Sequence, residues 1–161
     1  MLVLLVCAVA CAVYYAVVLG RMIAISRWLP TLEAGLDQDP PDGAWPGVCI
    51  VVPAHNEADV IEHIARSLIA QDYQDLRIVF ALDRCTDATA AIVRRTVGTD
   101  ARFEVLENSG CPAGWAGKVH VVHKAVRTST AAAHADYLLF ADADTVLGPG
   151  CVRAAVGLAR K

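Results

Sequence analysis

Met1 to Gly20 contains no charged residue. About 20 apolar residues at 1.5 Å each cover the roughly 30 Å hydrocarbon core of a bilayer. Arg21, Arg27 and Trp28 follow, and no basic residue precedes the run. The bias of basic residues toward the cytosolic side therefore puts the C-terminal part in the cytosol. A cleaved signal peptide would want a basic leading region, and there is none. The pattern predicts an uncleaved membrane anchor over residues 1–24. Over residues 25–47 the pattern dissolves: Pro30, Pro40, Pro41, Pro46, Gly43 and Gly47 stand among Glu33, Asp37, Asp39 and Asp42. This reads as a linker that is not helical throughout.

From Val48 onward, short apolar runs alternate with stretches of helical period. Val48–Val52 is apolar at every position, as expected of a strand buried on both faces, and Pro53 is expected to end it. Asn56 is placed to cap a helix starting near Glu57, whose apolar face is Ile61, Ile64, Ala65, Leu68 and Ile69. Leu76–Leu82 reads as a second strand. Thr86 or Asp87 starts the next helix, and Gly98 stops it. Arg102–Leu106 reads as a third strand. A glycine-rich loop with Gly110, Pro112, Gly114 and Gly117 leads to a helix from about Lys118 to Thr130. Asp136–Ala141 is a fourth strand and Val152–Arg160 a last helix. Strand and helix in alternation, with short connections, predict an α/β domain over 48–161 with a mostly parallel, Rossmann-like sheet.

Composition changes this picture little. The chain has 161 residues, 56% hydrophobic and 19% charged, which fits one domain plus a membrane segment. A net charge of −3 and scattered basic residues give no reason to expect a nucleic-acid partner. None of the six cysteines forms a C-x-x-C pair, so a zinc site is not expected, and most of them read as small buried hydrophobes.

Open α/β sheets bind ligands beyond the carboxyl ends of their strands. Those ends carry Pro53-Ala54-His55-Asn56-Glu57, then Asp83-Arg84-Cys85-Thr86-Asp87, then Glu107 with the glycine-rich loop and Lys118, then Asp142 and Asp144. Polar groups thus converge on one edge of an apolar sheet. Acids alone repel an anionic ligand, but carboxylate oxygens suit Mg²⁺ or Mn²⁺, which in turn grip a diphosphate. Asp144 is the leading metal candidate. Asp83 and Asp142 are candidates to accept hydrogen bonds from a base or ribose, and Lys118 to meet phosphate at a helix N-terminus. The common nucleotide motifs fail: Pro112 stands where a P-loop needs its first glycine, Val119 follows Lys118, and no G-x-G-x-x-G follows the first strand.

The set VVPAHNE, ALDRCTDAT, GWAGK and FADADT, in that order, resembles the donor-binding half of family 2 glycosyltransferases with the GT-A fold. The likeness runs over about Val48 to Gly150. It is strongest to the membrane-anchored branch with poly-N-acetylglucosamine, hyaluronan and cellulose synthase relatives, and to ceramide- and hopanoid-associated transferases. The resemblance implies that Pro53, Ala54, Asn56 and Glu57 line the uracil and ribose pocket, and that Asp83 contacts uracil. Leu82 stands where the family usually has another aspartate. It further implies Lys118 near the nucleotide, Asp142 toward the nucleotide and Asp144 on the metal, as a D-x-D motif. The implied reaction moves a sugar from a UDP-sugar to a hydroxyl of a lipid or saccharide acceptor, with inversion. A Mg²⁺ or Mn²⁺ ion offsets charge on the departing diphosphate, and a carboxylate base deprotonates the acceptor.

In the family that base and a Q-x-x-R-W element follow the D-x-D strand. Neither occurs before Lys161, so the chain reads as a donor-binding portion without the catalytic base. The rival reading is a non-catalytic nucleotide-sugar-binding or interaction module. His55 reads as a pocket wall rather than a base. His120 and His123 interrupt an apolar helix face and read as solvated rather than as metal ligands.

Overall fold

β1 (Val48–Ala54) is buried at all seven positions, and the rest of the soluble part is arranged around it. The structure, a computed structural model, describes residues 2–38 and 44–160. Beyond β1 come α2 (Ile61–Ile69), β2 (Leu76–Asp83), α3 (Thr89–Val97), β3 (Phe103–Asn108), α4 (Gly117–Thr128), α5 (Thr130–His134), β4 (Tyr137–Phe140) and α6 (Cys151–Ala159). The four strands form one sheet in the order β3-β2-β1-β4, parallel at every pairing. An α/β domain with a parallel sheet is what the alternating pattern predicts.

The continuous apolar runs of β1 and β2 follow from having helices on both faces. Val48, Ile50 and Val52 of β1, with Ile78, Phe80 and Leu82 of β2, pack against α2, α3 and α6. The alternate residues Cys49, Val51, Val79 and Ala81 pack against Val121, Ala125 and Ala132 of α4 and α5. Phe80 is fully buried and stacks on Phe103 of β3 at 6.2 Å.

Several boundaries differ from the sequence expectation. Pro53 does not end β1, which runs on to Ala54 with Pro53 opposite Ala81. Val51 accepts from Ala141 N on the β4 side. Pro53, two residues on, therefore turns its donorless nitrogen to that same side, where β4 has already ended at Phe140. Asn56 does not cap a helix at Glu57: α2 starts at Ile61, and Val60 at its N-cap makes no side-chain bond. The single predicted helix after Lys118 is two. Ser129 breaks it in extended conformation, and its hydroxyl accepts from Ala132 N to cap α5.

α1 (Leu2–Trp28) is a 27-residue helix, about 40 Å long at 1.5 Å per residue. It is long and apolar enough to cross a membrane by length and composition. Helical structure continues past residue 24, into the predicted linker. That linker is also docked rather than loose where it is described. A 3₁₀ turn, Leu32–Gly35, lies on α6 so closely that a Cβ on Gly35 would meet the Ala154 carbonyl oxygen at 1.9 Å. A Cβ on Gly157 would meet the Gly35 oxygen at 2.1 Å. Further on, Arg153 lies over the Trp45 ring, Trp45 packs edge-on against Tyr73, and Tyr73 donates to Pro46 O at 2.6 Å.

Candidate functional site

At the carboxyl end of the sheet lies a cleft of about 240 Å³. Its walls are Pro53, Ala54, His55 and Glu57 after β1, Asp83 at the end of β2, Lys118 and Val121 of α4, and Asp142, Ala143 and Asp144 after β4. Seven of the eight residues nominated from the sequence therefore meet in one place. Asn56 is the exception.

Asn56 works beside the cleft. It has φ 55°, and its Oδ1 accepts from Thr86 N at 2.8 Å. Glu57 N donates to Thr89 Oγ1 at 2.8 Å, and Ala58 N to Asp87 Oδ2 at 3.2 Å. The loops after β1 and β2 are thus stitched side by side. Asp87 also accepts from Thr89 Oγ1 and Thr89 N, and these bonds, the hydroxyl's first, hold its carboxyl below the usual range.

Asp83 is 3% exposed, yet charged. Arg84 Nη2 donates to its Oδ2 at 2.6 Å, and Asn108 Nδ2 donates to its Oδ1 at 2.8 Å. The Arg84 bond is the main reason its carboxyl stays below the ordinary aspartate value; burial opposes this and Asn108 reinforces it. Asn108 in turn accepts from Lys124 Nζ at 2.9 Å. His55 Nδ1 lies 2.5 Å from the Asp83 carbonyl, so this nitrogen carries the proton and donates.

Asp142-Ala143-Asp144 has a simple local logic. Ala143 is 5% exposed and sits in the core, which turns both neighbouring acids outward into the cleft. Thr145 N and Oγ1 both donate to Asp142 O and close the turn. The chain beyond is tied to α2: Leu147 N donates to Ser67 Oγ, and the buried Gln71 bonds both Gly148 O and Val152 N. Across the cleft, Lys118 Nζ reaches Asp142 Oδ1 at 2.5 Å. Both side chains are exposed, so the pair is screened and free to open.

Other strand-end groups lie elsewhere. Glu107 pairs with Arg94 away from the cleft. His120 and His123 pack around Trp115, with ring centroids 5.6 and 5.2 Å from it. Among the described residues, no group of three or more His, Cys, Asp or Glu could hold a metal by itself. Asp142 and Asp144 are hard oxygen donors and suit Mg²⁺ or Mn²⁺ only if phosphate and water complete the shell. Sequence reasoning did not pick out Asn108 and Arg84 as partners of Asp83. Asn108 had a findable signal, a polar residue at the very end of β3, where it pairs in register with Asp83.

A larger groove, about 580 Å³, lies at the opposite, amino end of the sheet, between Asp75, Arg77, Arg102 and Glu104. Two of these four charges are engaged: Arg102 pairs with Asp100, and Glu104 accepts from Ser129. Volume favours the groove, but position and chemistry favour the cleft.

Residues 49–161 match the model of glycosyl transferase family 2. The chain belongs to this family. Its fold is that of GT-A glycosyltransferases. The mannosyltransferase PcManGT from Pyrobaculum calidifontis, solved with GDP-Man and Mn²⁺, superposes with a TM-score of 0.67 at 24% identity, over 96% of this chain and 44% of that one. S. aureus TarS 1-349 in complex with UDP-GlcNAc gives 0.59 at 20% identity, over 71% and 31%. Glucosyl-3-phosphoglycerate synthase from Mycobacterium tuberculosis, with Mn²⁺, UDP and phosphoglyceric acid, gives 0.53 at 20%, over 75% and 39%. The chain thus spans less than half the length of each of these proteins. No curated protein matches it by sequence.

Proposed function

We propose that this family 2 glycosyltransferase domain binds a UDP-sugar with Mg²⁺ or Mn²⁺ and serves transfer of the sugar, with inversion, to a hydroxyl of a lipid or saccharide acceptor. The observation that carries this reading is the cleft, where Asp83, Lys118, Asp142 and Asp144 arrive from three separate segments. Relatives of the same fold solved with UDP-GlcNAc, with UDP and Mn²⁺, and with GDP-Man and Mn²⁺ support it.

Each side chain has a definite task in this reading. Pro53, Ala54 and Glu57 wall the base and ribose end, and Asn56 keeps that loop in shape through Thr86. Asp83 belongs to the base side. Asp142 faces the nucleotide, and Asp144 supplies a carboxylate oxygen to the metal. Lys118 leaves Asp142 for the diphosphate, bringing a point charge to the first turn of α4, where backbone N–H groups are free. When bound, the metal offsets the negative charge that builds on the departing UDP. α1 anchors the domain in the membrane with the cleft on the cytosolic side, which fits Arg21 and Arg27 following the apolar run.

The test is calorimetry of UDP binding to the chain in detergent, with Mn²⁺ and with EDTA. Metal-dependent binding by the wild type, and its loss in Asp144→Ala, is the expected result. Equal affinity of the two proteins with Mn²⁺ present removes Asp144 from the metal.

A further inference from the structure

The end of β2 departs from a simple acidic base pocket. Leu82 is 1% exposed and turned into the core, so it offers the cleft nothing. Asp83 is the next residue, and its carboxylate is already heavily used. A carboxylate has about four lone-pair directions. Asn108 takes one on Oδ1 at 2.8 Å, while Arg84 Nε lies 3.1 Å from both oxygens and Arg84 Nη2 2.6 Å from Oδ2. Little acceptor capacity is left for a ligand.

Arg84 has the opposite surplus. Its backbone sits at φ 48°, a left-handed value disfavoured for a residue with a Cβ, and its N–H is held by Asn108 O at 2.7 Å. That turn folds the side chain back over Asp83. Of the five guanidinium N–H groups, the bonds to Asp83 use those of Nε and one on Nη2; the others have no partner among the described residues. The side chain is 44% exposed. It lies against Gly117, where a Cβ would come within 2.4 Å of Nη2. Gly117 precedes Lys118, so the guanidinium, though not itself a wall of the cleft, stands beside it, between Asp83 and the start of α4.

Resting on the reading above, we propose that Arg84 is the base-selecting residue of this cleft: its free N–H groups donate to a carbonyl oxygen of uracil, and Asp83 positions the guanidinium for that contact. With Nε shared between both oxygens, three N–H donors stand against the four lone-pair directions of Asp83, which leaves room for the neighbouring imide N–H, so the pair offers a donor beside an acceptor. The planar fork makes the arrangement specific, and lysine cannot reproduce it.

The experiment compares UDP with inorganic diphosphate, each titrated with Mn²⁺ into the full chain. Arg84→Ala should weaken UDP by about tenfold, the scale of one hydrogen bond to a charged group, and change diphosphate less than twofold. Arg84→Lys should keep most of that loss. Because Arg84→Ala leaves a buried carboxylate unpaired, the double variant Asp83→Asn/Arg84→Ala is measured beside it and should show the same base-selective loss. Equal losses for both ligands would mean that Arg84 serves the phosphates, and unchanged UDP binding would make it a surface ion pair; either result overturns the assignment while leaving the nucleotide reading intact. Failure of the wild type to bind UDP at all overturns both.

Discussion

Asp83 keeps its charge almost without water because Arg84 and Asn108 stand in for the solvent around it. Its folded-state pKa is depressed, chiefly by the Arg84 bond. The stability it contributes is therefore fully present above its unfolded value of about 3.9 and is lost as pH falls through the lower folded value. Asp83→Asn should flatten this dependence: between about pH 5 and about pH 3, its urea midpoint should fall less than that of the wild type. Identical acid profiles would contradict the role given to the Arg84 contact. For ligands, Asp83→Ala should weaken uridine more than bare diphosphate, and equal losses would count against a place on the base side. The acids and the lysine of the cleft were legible because their chemistry is written in residue type and in position after each strand. The way they are coupled was not. Arg84 turning back onto Asp83 depends on a left-handed backbone, and Asn108 meeting Asp83 depends on the register of β2 with β3. Neither leaves a periodic trace.

At the level of elements, two glycine contacts set how segments approach one another. Gly157 of α6 and Gly35 of the 3₁₀ turn bring backbones together with no room for a methyl group. Gly157→Ala should cost about 1–3 kcal/mol by overpacking and open the turn to thermolysin at Leu32 and Leu36. Unchanged cleavage would mean that the turn is not held by α6. Gly117→Ala pushes a Cβ to 2.4 Å from the Arg84 guanidinium and 2.7 Å from Asp83 Oδ2, so it should weaken UDP binding while the far-ultraviolet circular dichroism stays that of the wild type. Strand and helix identities followed from hydrophobic period, since β1 and β2 are buried on both faces and α2 on one. The errors came where tertiary contacts override local preference. Pro53 stays in its strand because the neighbour on its donorless side has stopped, and Asn56 is claimed by Thr86 before it can cap α2. The docking of Gly35 on α6 joins segments over a hundred residues apart, which no local pattern reports.

Across the whole molecule, the two ends of the sheet do different work. The carboxyl end gathers charges that a ligand can re-pair, such as Lys118 with Asp142, while the amino end holds the larger groove, where Arg102 and Glu104 already have partners within the chain. α1 adds a helix whose described side chains are almost all exposed to their surroundings, which a bilayer would cover. Carbonate washing should leave the chain in the membrane pellet, and release into the supernatant would contradict an anchoring helix. The central claim, that the carboxyl-end rim holds a nucleotide diphosphate through a cation, is tested most directly by paramagnetic broadening in nuclear magnetic resonance. With UDP and Mn²⁺ added to the labelled chain in micelles, amide signals of Ala54, Lys118, Ala143 and Asp144 should broaden first, and those of Arg77, Arg102 and Glu104 should stay sharp. Broadening centred on Arg77 and Arg102, or no UDP-dependent broadening at either end, would contradict the account.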